Sequence, residues 1–403
     1  MRILMLTQYF PPETGAAQVR LFEVAKAIKA QGHQIEIVTA FPNYPTGVIP
    51  PEYRGKFFMK DLLEDIPLYR TWIYPVQRGR FWKRLLNYFS FVLSACYGIM
   101  KAGPADYIFV ESPPIFIGFT MFFARWVKRA GIILNISDLW PESAVSLGLI
   151  KNKFLIQLTS GLEMQMYKVA WRISAQTEGI MQTLVQRGIP AGKLVFLPNG
   201  VDPDLFTPGP PELELVESLK LQNKNVVLYA GTIGYAAGLE VALQAAEKLR
   251  ANPGVIFLIV GDGTEKPRLQ SLAAEMELPN VCWLPFQPLK EIVRYYNLAA
   301  LSLVTLRRYK LAEGVRPSKL FPGLASAKPV VYVGEGEGAR IMAESGGGVV
   351  IPPEDPGLLA KTILELIANP QQCREMGQKG RNYVIENYTW RVLVAKWLED
   401  LNI

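Results

Sequence analysis

The sequence predicts two doubly wound α/β domains in tandem. Three observations predict it: a strand–helix–strand pattern at the N-terminus, the same pattern near the middle, and a turn-rich segment between them. In the first forty residues Ile3–Thr7 is a short apolar run that Pro11 to Gly15 interrupt. Val19, Phe22, Val24, Ala25 and Ile28 then recur at helical spacing, Gly32 ends that helix, and Ile35–Thr39 reads as a second strand. This order demands a parallel sheet with a right-handed crossover.

The pattern returns with strand Val226–Ala230 and the glycine-containing loop Gly231 to Gly238. A helix face of Leu239, Ala242, Ala245, Ala246 and Leu249 follows, then strand Val255–Val260, ending at Gly261-Asp262-Gly263. The segment Phe196 to Pro203 is rich in turn formers and reads as a linker. A chain of 403 residues suits two domains of about 200 each. The expected boundaries are 1–200 and 201–388, with an amphipathic helix at 389–403 packing back on the first domain. Its stripe is Trp390, Leu393, Val394, Trp397, Leu398 and Leu401. Further strands are expected at Tyr107–Glu111, Ile132–Ile136, Val195–Leu197, Leu301–Thr305 and Val330–Val333. Ligands of such sheets bind beyond the carboxyl ends of the strands, so two facing domains would enclose a cleft.

Half of the residues are hydrophobic, enough for a core in each domain. Cys96, Cys282 and Cys373 are odd in number and scattered. That favours a reducing compartment and no disulfide framework, and their spacing is not that of metal ligands. The run Ile3–Leu6 after Arg2 is too short for the apolar core of a signal peptide. No segment reaches the roughly 18 apolar residues of a membrane span. Two come partway. Leu85–Met100 follows Arg78, Arg80, Lys83 and Arg84, and Ile115–Val127 precedes Lys128 and Arg129. With a net charge of +7, these segments fit anchoring on an anionic membrane surface. They fit equally a pair of buried helices with basic ends. No nucleic-acid-binding motif accompanies the charge, so nucleic acid is not an expected partner.

Four stretches can carry chemistry. The loop Pro11 to Ala17, with Gly15 and Ala16, stands between the first strand and its helix, where backbone N–H groups meet anions. The alternative is a plain turn. Gly231-Thr232-Ile233-Gly234 is the matching loop of the second half. It lacks the Gly-x-Gly-x-x-Gly spacing of dinucleotide sites but can still cradle a diphosphate. Arg316, Ser318 and Lys319 precede an expected helix at Leu320–Ser326. They would gather positive charge at its N-terminus, or Ser318 would merely cap it with Lys319 in solvent. Asp138 and Glu142 follow the strand Ile132–Ile136. They would face the cleft as acceptor-orienting carboxylates, or Asp138 would cap a helix begun by Pro141. Asp202-Pro203-Asp204 lies in the linker and reads as a turn rather than a metal site. His33 is the only histidine, which removes His-based triads and His-rich metal centres.

Together these motifs resemble family 4 of the retaining glycosyltransferases, whose fold is GT-B: two Rossmann-like, doubly wound parallel-sheet domains facing across a cleft. The resemblance runs nearly end to end. It rests on Gln8 to Gly15, Gly32-His33-Gln34-Ile35, Pro198-Asn199-Gly200-Val201-Asp202 with Phe206, Tyr229 to Gly234, Val260 to Gly263, Pro317-Ser318-Lys319-Leu320 and Ala325 to Val331. Phe41 to Pro45 and Ser137 to Ser143 resemble a subgroup that builds bacterial surface polysaccharides. The resemblance implies that Gly15 and Ala16 lie near the donor's phosphate or sugar. It implies that Lys319, with Arg316, meets the diphosphate, and that Gly231, Thr232 and Gly261 line the nucleotide pocket. Asp138 falls where family members contact the transferred sugar.

The chain departs from the family at several positions. The two family glutamates fall at Gly314, beside Glu313, and at Pro322. Gly323 replaces a tyrosine-like residue, Ala327 a glycine, and Tyr235-Ala236-Ala237 the basic pair. The implied activity is transfer of a hexosyl or N-acetylhexosaminyl group, with retention, from a nucleotide-sugar, UDP-linked by expectation. The implied acceptor is a polyprenyl-diphosphate-linked saccharide at the cytoplasmic face of the inner membrane. The nucleotide-sugar is a co-substrate, and no metal or other cofactor is expected. Two rivals remain: a nucleotide-sugar epimerase of the same fold, and a degenerate, non-catalytic binding module, which Pro322 favours.

Overall fold

The computed structural model describes every residue except 14, 45, 77–80, 141–151, 309–313 and 315. The chain divides into two compact units, Met1–Asn199 with Leu393–Ile403, and Gly200–Val392.

The first unit holds an eight-stranded sheet of order β3-β4-β2-β1-β5-β6-β7-β8. Its strands are β1 (Arg2–Leu6), β2 (Gln34–Ala40), β3 (Phe58–Leu63), β4 (Ile66–Thr71), β5 (Tyr107–Ser112), β6 (Gly131–Ile136), β7 (Arg172–Ala175) and β8 (Leu194–Phe196). All neighbours run parallel except β3 and β4. The central strands are apolar on both faces, as a sheet covered by helices on each side requires. Helices α1 (Ala16–Ala30), α2 (Phe81–Lys101), α3 (Ile117–Lys128) and α4 (Lys153–Val169) supply cover. The two basic-flanked apolar segments are thus α2 and α3. Each turns one face to the core, with Phe91, Val92, Ala95 and Ile99 from α2 and Met121 and Ala124 from α3. Among the described residues, no helix is long and apolar enough to cross a membrane. Leu393–Ile403 packs in this unit: Trp397 is fully buried and its Nε1 donates to Ser174 Oγ at 2.8 Å.

The second unit holds a wholly parallel sheet of order β11-β10-β9-β12-β13-β14. Its strands are β9 (Asn225–Ala230), β10 (Val255–Val260), β11 (Val281–Leu284), β12 (Ala299–Thr305), β13 (Val330–Val333) and β14 (Gly348–Ile351). The direction in which successive strands are added reverses between β9 and β12, as it does between β1 and β5 in the first unit, while the strands themselves stay parallel. These are topological switch points, where a crevice opens at the carboxyl ends of the strands.

Helix α5 (Leu320–Ala325) is shorter by one residue than expected. It ends in a Schellman motif: Lys328 N–H donates to Gly323 O at 3.0 Å, and Ala327 N–H to Leu324 O at 3.0 Å. Ala327 therefore sits at φ +51°, a conformation that suits glycine. Ala327→Gly is expected to stabilise the protein by about 0.5–1 kcal/mol, since a left-handed alanine costs more than glycine's added chain entropy. Thermal unfolding checks this.

Candidate functional site

In the second unit the loops after β9 and β10 meet backbone to backbone. Gly231 lies at φ +143° and Gly261 at φ +148°. A Cβ added to Gly261 would stand 2.0 Å from Gly231 O, and one added to Gly231 would stand 2.3 Å from Lys319 Cε. Only glycine fits either place. Gly231 N–H donates to Val260 O at 2.9 Å and Ile233 N–H to Asp262 O at 2.9 Å, closing the cradle. Lys266 fastens it from below, with Nζ donating to Gly261 O (2.7 Å), Leu284 O (2.9 Å) and Asp262 Oδ1 (3.0 Å). Sequence reasoning passed over Lys266; its signal was the i,i+4 spacing from Asp262.

The structure brings Lys319 to this cradle. Its chain lies along Gly231 and its Nζ stands 5.7 Å from the Tyr229 ring centroid. Among the described residues it has no carboxylate partner and no hydrogen bond. Burial pulls its ammonium below the ordinary lysine range. Tyr229, itself buried, donates its hydroxyl to Thr232 O at 2.7 Å and holds the loop. An unneutralised cation beside glycine backbone suits an anionic ligand. As its pKa is depressed, its charge is lost at lower pH than an ordinary lysine's. Donor affinity is therefore expected to fall as pH rises from neutrality toward 10, and Lys319→Arg to retain affinity further into that range. Calorimetry across pH checks both.

The other predicted donor residues fare differently. Arg316 is buried and its Nε donates to Glu337 at 2.9 Å, with its guanidinium 5.6 Å from the Tyr388 ring. These contacts fix its guanidinium within the fold. Ser318 is exposed and caps no helix; the cap position of α5 is Lys319 itself. Gly234 is extended (φ −115°) and precedes a single turn, Tyr235–Ala237. Where the family's basic pair is missing, Arg307 arrives from beyond β12. Its guanidinium lies 4.2 Å from the Tyr235 centroid and donates to Glu240 at 2.6 Å. Sequence reasoning missed it because it comes from another strand. Pro322 stands in the first turn of α5, where a backbone N–H has no helical acceptor, so proline costs the helix no bond. Glu313 lies outside the described residues.

In the first unit, Gly15 is the N-cap of α1 and Ala16 its first residue. Among the described residues no side chain caps this helix, and no acidic residue stands in its first turn. The N–H groups of Ala16 and Ala17, both exposed, thus have no acceptor among the described residues. Glu13, buried just before it, accepts from the N–H groups of Asn43 (2.7 Å) and Tyr44 (2.8 Å), tying the loop to the end of β2. Burial raises its carboxyl. Asp138 is exposed just beyond β6, on the same carboxyl edge of the sheet as the Gly15 loop. Glu142 lies outside the described residues. Beneath Asp138 is a buried network that sequence reasoning did not find. Glu111 accepts from Asn135 Nδ2 (2.6 Å) and from Ser137 Oγ. Arg20 lies 3.7 Å from Glu111 and donates to Leu197 O at 2.9 Å.

The description "Glycosyl transferase 4-like domain" matches residues 15–200, and "Glycosyl transferases group 1" matches residues 212–383. WcaI of Escherichia coli K12, a glycosyl transferase proposed for colanic acid biosynthesis, is 27% identical over 384 residues, covering 92% of this chain and 93% of that protein. A GDP-mannose-dependent alpha-(1-6)-phosphatidylinositol monomannoside mannosyltransferase of Mycolicibacterium smegmatis is 26% identical over 53% of this chain and 57% of its own length. Among solved structures, Anabaena HepE in complex with UDP-glucose matches with a TM-score of 0.74 at 18% identity. The match covers 100% of this chain and 99% of that one, and this likeness speaks for the fold alone. The two family matches follow one another along the chain much as the two units do, and the chain belongs to the family 4 (group 1) glycosyltransferases, with the GT-B fold.

Proposed function

We propose that this glycosyltransferase takes its sugar from a UDP-linked donor whose diphosphate rests on the Gly231–Gly261 cradle against Lys319. One observation carries the reading: a cation that has no carboxylate partner among the described residues, laid along glycine backbone at the switch point of the second sheet. As the glycosidic bond to the donor breaks, negative charge grows on the leaving diphosphate, and a fixed ammonium stabilises that growth. Gly15 and Ala16 offer the α1 N–H groups to the donor's phosphate or sugar, and Asp138 orients the acceptor hydroxyl. The acceptor is a lipid-linked saccharide, and transfer proceeds with retention. The product belongs to a surface polysaccharide, in keeping with the pathway proposed for WcaI. HepE supports a uridine nucleotide by its bound UDP-glucose; the mannosyltransferase, by its name, uses GDP-mannose.

A panel of UDP-glucose, UDP-N-acetylglucosamine, UDP-galactose and GDP-mannose, offered with a polyprenyl-diphosphate saccharide, tests this. Acceptor elongation from a UDP-sugar is expected. Elongation from GDP-mannose alone would reject the uridine assignment. Conversion of a sugar nucleotide without acceptor would identify an epimerase instead. Pro322 favours a second reading, a chain that keeps the fold without transfer, which absence of elongation from every donor would support.

A further inference from the structure

Glu13 is a buried carboxylate that the donor reading leaves unused. It precedes Gly15, the N-cap of α1, by two residues and is 6% exposed. Its Oε1 accepts from Asn43 N–H at 2.7 Å, Tyr44 N–H at 2.8 Å and Asn43 Nδ2 at 3.4 Å. Its Oε2 accepts from Gln18 Nε2 at 3.5 Å. Gln18, in the first turn of α1, is buried as well. A Cβ added to Gly15 would stand 2.4 Å from Gln18 Oε1, so glycine at the N-cap leaves this side chain room to fold back. One carboxylate thus ties together the segment before α1, the first turn of α1 and the loop after β2.

Arg70 of β4 holds the same segment at Pro11. It is 2% exposed. Nη2 donates to Pro11 O at 2.6 Å and Nε to Asp61 Oδ2 at 2.7 Å, and the guanidinium lies 5.7 Å from the Tyr53 ring centroid. Nη1 is buried and has no hydrogen-bond partner among the described residues. Burying a cation short of a bond costs a fold energy, so stability does not account for an arginine here. Its charge does bear on Glu13. Burial raises that carboxyl, and the N–H donors and Arg70 draw it back down. Arg70 thereby offsets a negative charge set just before a helix whose first N–H groups an anion would approach.

We propose that Glu13 and Arg70 are positioning residues for sugar transfer: between them they fix the segment before α1 and so aim the N–H groups of Ala16 and Ala17 at the donor, without touching it themselves. The proposal deepens the reading of Gly15 and Ala16 as donor contacts and rests on it. Backbone N–H groups stabilise a growing charge only where they are already in place when it develops. A misplacement of ~1 Å costs about 100-fold in rate, and the cost falls on the transition state. Two buried side chains from outside the helix, one on each side of the Pro11–Glu13 segment in charge, supply that fixity. The cradle around Lys319 belongs to the second unit and is independent of them.

The test is steady-state kinetics with the sugar nucleotide of the panel above that elongates the acceptor, rates being counted per molecule that binds UDP so that an unfolded fraction does not enter. Glu13→Ala is expected to lower kcat at least ~10-fold at an unchanged donor KM. Glu13→Gln, whose amide oxygen still accepts from Asn43 and Tyr44, is expected to stay within ~3-fold of wild type. Arg70→Lys keeps the charge but lacks the fork that spans Pro11 and Asp61, and is expected to lose at least ~10-fold in kcat. Wild-type kcat in Glu13→Ala or Arg70→Lys would overturn the proposal, and so would a loss in Glu13→Gln equal to that in Glu13→Ala. Amide hydrogen exchange on the same proteins, without substrate, separates this from the donor reading. The peptide covering residues 11–19 is expected to exchange faster in Glu13→Ala than in wild type, with β9 and β10 unchanged. Unchanged exchange at 11–19 would overturn the proposal by itself. Faster exchange there, in a protein whose wild type transfers from no donor of the panel, would reject the donor reading and with it the role in transfer, leaving Glu13 an anchor of the fold alone.

Discussion

Lys319→Ala is expected to lower kcat/KM about 100- to 1000-fold, the cost of removing one preorganised charge from a developing anion. The stability change should have the opposite sign to that of an ordinary core truncation. In the free protein the Lys319 ammonium is partly desolvated and has no carboxylate partner among the described residues, so it costs the fold energy. Its removal should leave the melting temperature unchanged or higher. Activity lost with stability kept is the mark of a group held for its ligand. Steady-state kinetics and thermal unfolding on one preparation check it, and intact transfer by the variant would remove Lys319 from the donor site.

The second large effect concerns the first unit. Glu111→Ala is expected to destabilise the protein by about 3–5 kcal/mol, because Arg20 would be left charged and buried without its counter-ion. Burial already pushes Glu111 up and Arg20 down, so each ion is kept charged by the other against desolvation. Arg20→Met combined with Glu111→Leu should recover much of the loss, since a paired apolar replacement leaves no stranded charge. Denaturant unfolding of the two single variants and the double variant measures the coupling. Equal losses from additive singles would mean that the ion pair contributes nothing specific.

The sheet was legible where a strand is a continuous apolar run stopped by glycine or proline. β10 and β13 match their expected limits, and β1, β2, β5, β6 and β9 differ by a residue or two at the ends. The hairpin of β3 and β4 was not legible. Its turn is Glu64-Asp65, both at positive φ, where the recognisable signal would be Asn-Gly or Asp-Gly. The strands β7, β11 and β14 were not legible either; among strands of four residues β13 stood out, an apolar run stopped by Pro329 before it and Gly334 after it. For α2 and α3, composition supported both a buried helix and a surface anchor. In the structure each buries one face in the core and exposes the other.

The candidate site divides the same way. Glycines that a loop needs for close approach, Gly231 and Gly261, were visible because no other residue suits them. What each charged side chain does was hidden, because pairing depends on contacts between distant elements. Arg316 and Lys319 are near neighbours, yet one is bound to Glu337 and the other lies against Gly231. Nothing local separates them. Arg20, Glu111 and Asn135 meet only because α1, β5 and β6 converge at one edge of the sheet.

The most direct test of the central claim is calorimetric titration of UDP and of GDP into wild type, Lys319→Ala and Pro322→Glu. The account predicts micromolar binding of UDP by wild type, weakening at least ~10-fold in Lys319→Ala, with GDP bound more weakly throughout. Binding of neither nucleotide by wild type would contradict a working donor site. Recovery in Pro322→Glu would then trace the loss to that one residue, and its absence would point to a non-catalytic role.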